Sequence, residues 1–172
     1  MIQLNQYISE KLNIDKDVKD IPEEELYKQY FETLKDKFKK EGINATGTFK
    51  KLFGDYNSQW IRLSYLKPED EPNIADNGMY LIFDINFKDR IIELRRNGHI
   101  YLTKEDQRKS YLAMTGIKNL YKKEGKSYFR KTRYKSIDDC VKKILAFYNS
   151  TKELLDKYSE GYPYKQMKLN IY

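Results

Sequence analysis

The sequence predicts an α+β fold, an antiparallel sheet of about four to five strands covered by amphipathic helices. Three observations carry this. Apolar residues recur at helical spacing up to Gly42, alternate from Asn44 to Thr103, and return to helical spacing beyond. Two short connections, Lys88-Asp89 and Asn97-Gly98, separate alternating runs. Two helix-start signatures, one near Pro22 and one at Ser136, flank the alternating region.

Taken in order, residues 4–12 suit a short helix and 13–19 a charged hinge, so 1–20 form an N-terminal appendage. Asp20 is the expected N-cap of the next helix, with Pro22 in its first turn and Gly42 as its stop. Between them Leu26, Tyr30, Leu34 and Phe38 recur every four residues, and Phe31 widens that stripe. Strands are expected at 60–65, 79–87, 90–96 and 98–102. The two short turns then set Phe83 opposite Leu94, Leu94 opposite Tyr101 and Ile85 opposite Ile92, with Asp84 facing Glu93 on the other side. Thr103 with Asp106 opens a helix running through Tyr111, Leu112, Ile117, Leu120 and Tyr121 to Gly125. Residues 127–134 alternate and read as a strand or an ordered loop. Ser136 with Asp139 caps a last long helix carrying Ile137, Val141, Ile144, Leu145, Tyr148, Leu154, Leu155 and Tyr158. One α+β domain thus spans 21–160, and 161–172 form a tail.

Composition narrows the class. A chain of 172 residues with 40% hydrophobic and 34% charged residues is long enough to bury a core as one domain. Sixteen tyrosines against one tryptophan give it aromatic side chains with polar tips, the kind used at contact surfaces. The single cysteine, Cys140, excludes an internal disulfide and a multi-cysteine zinc site. The start lacks the basic and apolar regions of a secretory signal, and no run approaches the ~20 apolar residues of a membrane span, so a cytoplasmic location away from the membrane is expected.

Charge is localised. Residues 118–135 contain one acid, Glu124, and as much positive excess as the whole chain, whose formal net charge is +7. Lys122, Lys123, Lys126, Arg130, Lys131 and Arg133 alternate there with Tyr121, Tyr128, Phe129 and Tyr134. Cations neutralise phosphates while aromatic rings stack on bases, so this stretch is the expected contact for nucleic acid or a nucleoprotein, with Tyr128 and Tyr134 as stacking partners.

Catalytic chemistry is poorly supplied. His99 is the only histidine and lacks a second histidine or a cysteine with which to form a metal set, and Cys140 falls on the apolar stripe of the last helix. The strongest constellation is Asp84 with Glu93 and Arg95, which resembles the metal-dependent PD-(D/E)xK nucleases with Arg95 in the lysine place. Arginine stays protonated and cannot activate a water. No catalytic residue, metal or cofactor is therefore expected.

Gly54-Asp55-Tyr56-Asn57 leading to Trp60-Ile61, then Gly78-Met79-Tyr80-Leu81-Ile82-Phe83, then Ile100-Tyr101-Leu102-Thr103, resembles the N-terminal DNA-recognition domain of McrB-like proteins of modification-dependent restriction systems. The resemblance implies a stand-alone DNA-binding module that takes a modified base into an aromatic pocket, for which Tyr56, Trp60 and Tyr65 are the candidates. Together these readings suggest a non-enzymatic nucleic-acid-binding module of a prokaryotic defence or mobile-element system. The alternative is a phage or mobile-element anti-defence inhibitor, of anti-restriction or anti-CRISPR type, that binds a host nucleoprotein effector through a Tyr- and Arg-rich protein interface.

Overall fold

The computed structural model describes residues 21–65, 80–95 and 117–159. Within them the fold is α+β. A five-stranded antiparallel sheet in the order β1-β2-β3-β4-β5 is built from β1 (Asn44–Thr46), β2 (Ser58–Ser64), β3 (Tyr80–Asn86), β4 (Ile91–Arg95) and β5 (Lys131–Arg133). Helix α1 (Glu23–Lys40) precedes it, residues 117–123 form the described part of α2, and α3 (Ile137–Ser159) follows β5.

Alternation along the strands sorts side chains onto two faces. Ala45, Ile61, Leu63, Leu81, Phe83, Ile85, Ile92 and Leu94 point to one side and share a single core with Tyr27, Tyr30, Phe31, Leu34 and Phe38 of α1 and Cys140, Ile144, Phe147 and Tyr148 of α3. Both helices therefore cover the same face. The predicted register holds, with Phe83 opposite Leu94, Ile85 opposite Ile92 and Asp84 opposite Glu93.

Helix boundaries follow local chemistry. Pro22 itself is the N-cap residue of α1 and makes no side-chain cap, while the expected cap Asp20 lies outside the described residues. At the other end Gly42 takes φ 76°, which lets its N–H reach Lys39 and that of Ile43 reach Phe38, closing the last turn. α3 opens with the predicted box: Ser136 Oγ accepts from the Asp139 N–H at 3.1 Å, and the Asp139 carboxylate accepts from the Lys135 N–H at 2.8 Å.

One pairing differs from the sequence reading. The Asn97-Gly98 turn and the strand expected at 98–102 lie outside the described residues, but Leu94 does not await Tyr101. Its N–H donates to the Arg130 carbonyl at 2.7 Å, and β5 pairs with Ile91, Ile92 and Glu93, so that edge of β4 belongs to the basic stretch. Residues 1–20 and 161–172 also lie outside the described residues. Among the described residues no helix is long and apolar enough to cross a membrane.

Candidate nucleic-acid interface

The basic stretch divides its side chains cleanly between solvent and core. Lys122, Lys123, Lys126, Arg130, Lys131 and Arg133 are all exposed. Their aromatic neighbours turn inward: Tyr121 and Tyr134 are buried, and Tyr128 and Phe129 are half-buried against the core. Tyr121 stacks on Phe147 at 5.3 Å, Tyr128 meets both edge-on at 5.7 and 5.9 Å, and Phe129 lies 5.2 Å from Phe147. The Tyr134 hydroxyl donates to the Asn86 carbonyl at 3.2 Å, and burial pushes its phenol well above the ordinary value.

Tyr134 is thus a core residue and not a stacking partner for a base. Tyr128 is committed to the Tyr121–Phe147 cluster, so the rings anchor the strip while the cations face outward. The reason is that β5 pairs with β4, which sets Lys131 and Arg133 on the face of Glu93 and Ile91 while Tyr134 turns into the core.

Three acids near the strip are engaged by cations outside it, while Glu93 stands opposite Lys131. Glu124 pairs with Lys157 at 2.9 Å, Asp139 with Lys143 at 3.1 Å and Asp138 with Lys37 at 2.9 Å. The Arg90 guanidinium donates to the Lys135 carbonyl at 3.1 Å and Lys143 to that of Arg133 at 2.8 Å, which fixes two further cations along the β5 edge. An edge strand of three residues flanked by cations also resists pairing with another chain, so these charges serve solubility whatever else they bind.

The three aromatic pocket candidates do not converge. Tyr56 stacks on Phe49 at 5.2 Å, and a hydrogen bond to the Glu24 carboxylate raises its pKa. Tyr65 stacks on Tyr148 at 4.3 Å and donates to the Tyr148 carbonyl at 2.9 Å. Trp60 lies on the second face of the sheet, with the Arg95 guanidinium 4.3 Å from its ring centre. Trp60 faces away from the covered core, whereas Tyr65, one residue past the end of β2, turns toward Tyr148 of α3, so the two rings lie apart.

On that second face the cross-strand row reads Trp60, Asp84, Glu93, Lys131. Asp84 and Glu93 are neighbours as expected, but Asp84 Oδ2 accepts from Arg95 Nη2 at 2.9 Å and Nε at 3.3 Å. Arg95 therefore acts as a counter-ion held between a carboxylate and an indole. Among the described residues no group of three or more His, Cys, Asp or Glu is placed to hold a metal ion. Cys140 is fully buried, and burial pushes its thiol far above the ordinary value, which leaves it inert.

Sequence reasoning marked Gly54-Asp55-Tyr56-Asn57 as leading to Trp60 but missed Phe53 and the hairpin that it caps. Lys50 and Lys51 precede a two-residue turn, Phe53-Gly54, in which Leu52 and Asp55 exchange backbone hydrogen bonds of 2.8 and 3.2 Å. Both central residues have positive φ, 53° at Phe53 and 96° at Gly54, the arrangement of a tight hairpin. Gly54 alone was a partial signal, since the usual Asn-Gly or Asp-Gly signature is missing. Compared with known protein families, with curated proteins and with solved structures, the chain matches none.

Proposed function

We propose that the protein is a non-enzymatic nucleic-acid-binding module that grips the phosphate backbone through the strip formed by the end of α2 and β5. The observation that carries this reading is the outward placement of Lys122, Lys123, Lys126, Arg130, Lys131 and Arg133 over inward-turned aromatics, with Glu124, Asp138 and Asp139 engaged by other cations. Positive charge concentrated on one edge raises local counter-ion affinity and steers polyanions toward it. Contacts of this kind position a protein on nucleic acid without reading sequence.

The likeness of residues 54–61 and 78–83 to McrB-like DNA-recognition domains supports the same ligand class, with action in the cytoplasm of a cell carrying defence or mobile elements. Dispersal of Tyr56, Trp60 and Tyr65 supports backbone binding over capture of a base in that trio. Asp84 and Arg95 neutralise each other, so the second face supplies an ion pair and not a water-activating base.

Fluorescence anisotropy with labelled duplex DNA, single-stranded DNA and RNA, read between about 50 and 200 mM salt, tests the proposal. Binding that weakens steeply and linearly on logarithmic axes is expected. Absence of binding to all three probes, with tight binding to a host nucleoprotein complex, would instead establish the inhibitor reading.

A further inference from the structure

We infer that Phe53 is a wedge that inserts between base pairs of duplex DNA bound at the basic strip, an inference that rests on the nucleic-acid reading and adds a second contact to it. Phe53 is 82% exposed, the only large hydrophobic side chain so placed among the described residues. It also occupies a left-handed backbone conformation that bulky residues rarely adopt, so neither burial nor local geometry accounts for it.

The loop is built to hold this side chain out. Gln59, fully buried, accepts from the Lys50 N–H at 3.0 Å and donates to the carbonyls of Lys50 at 2.8 Å and Tyr56 at 3.3 Å. Asp55 Oδ1 accepts from the Asn57 N–H at 2.8 Å, which ties the outgoing arm to the turn. Trp60 meets the Phe53 ring edge-on at 6.4 Å, backing one side of it. A fixed convex aromatic suits insertion and offers no cavity for a flipped base.

Its surroundings select the occupant. The Arg95 guanidinium is 5.9 Å from the Phe53 ring centre, Lys50 Nζ is 5.7 Å from that of Trp60 and Lys51 Nζ 5.8 Å from that of Tyr56. The acids in the neighbourhood are Asp55, Asp84, Glu93 and Glu24, the last hydrogen-bonded to Tyr56. Asp55 accepts from the loop backbone, Asp84 pairs with Arg95, and Glu93 stands opposite Lys131. With Arg95 neutralised by Asp84, Lys50 and Lys51 are the cations beside the apolar tip, and they complement phosphates flanking a base step, as in proteins that kink DNA with inserted apolar side chains. Trp60 and Lys131 end the same cross-strand row, three strand spacings or about 14 Å apart, so the tip shares the second face with Lys131 and Arg133 at the β5 end of the strip.

The test compares the parent chain with Phe53→Asn and Phe53→Trp on a 20-base-pair DNA carrying 2-aminopurine at its centre and a dye at each end. Asparagine suits the turn and removes the ring. Expected for the parent is enhanced 2-aminopurine emission and a shortened end-to-end distance; Phe53→Asn loses both and binds about tenfold or more weakly at an unchanged salt slope. Phe53→Trp retains both, and its indole emission is quenched on binding. If Phe53→Asn binds and bends the DNA as the parent does, the wedge is wrong while strip binding stands; if the parent binds single strands or RNA but no duplex, the wedge alone falls, and if it binds none of the three at any salt, both fall. Loss of binding to a host protein in Phe53→Asn, with DNA affinity unaltered, would make the tip a protein anchor and overturn the inference.

Discussion

Phe83 has no exposed surface, enclosed at the centre of the covered face with Phe129 at 6.2 Å and Phe147 at 6.3 Å. Phe53, the same side chain, stands on the tip of a hairpin with 82% of its surface exposed and its backbone at positive φ. Full burial of a phenylalanine contributes about 1.5–3 kcal/mol, which Phe53 forgoes while adding conformational strain. The difference separates two kinds of residue. Phe83 is explained by the fold that it stabilises, whereas Phe53 is explained only by something outside the fold.

Truncating each side chain should therefore move stability in opposite directions. Phe83→Ala is expected to destabilise by about 3–5 kcal/mol in denaturant titrations, because it leaves a cavity beneath both helices. Asp84→Asn, on the second face, should cost about 1.5 kcal/mol, since it removes the charge that holds Arg95 against Trp60. Phe53→Asn should stabilise by about 1 kcal/mol, asparagine being tolerant of the left-handed region. A destabilising Phe53→Asn would show that the ring supports the fold and would erase the contrast.

The register of β3 with β4 was legible because period-2 alternation and a short Lys88-Asp89 connection leave few ways to align Phe83, Ile85, Ile92 and Leu94. The Ser136–Asp139 box and the Gly42 stop were equally local. What was not legible depended on distant partners. Alternation across 128–134 yields two faces but not which one is buried, and only the pairing of β5 with β4 makes Tyr134 a core ring. Opposite faces for Trp60 and Tyr65 were readable in principle from the parity of the strand expected at 60–65, although β2 itself ends at Ser64. The Phe53 hairpin was not, because Phe-Gly lacks the dipeptide signature of a tight turn.

The smallest expected effect is acid-specific. Hydrogen bonding from the Lys135 N–H holds the Asp139 carboxyl below its ordinary value, with Lys143 adding to the shift. A depressed folded-state pKa means that the stabilisation is fully present above the ordinary carboxylate value and fades as pH falls through the lower one. The α3 cap should weaken only below about pH 4. Thermal melts across that range, parent against Asp139→Asn, check this: the acid-dependent difference should disappear in the variant.

The central claim is that the outward cations of the α2 end and β5 bind phosphates, and the salt dependence of a triple Lys126→Ala, Arg130→Ala, Arg133→Ala variant tests it most directly. All three side chains are exposed, so the variant should fold with stability within about 0.5 kcal/mol of the parent. On duplex DNA its logarithmic salt slope should flatten by about 0.9 for each phosphate that the variant no longer neutralises, with affinity falling alike for all sequences. Unchanged affinity and slope for duplex DNA, single strands and RNA would contradict the account and leave the strip as a solubilising edge.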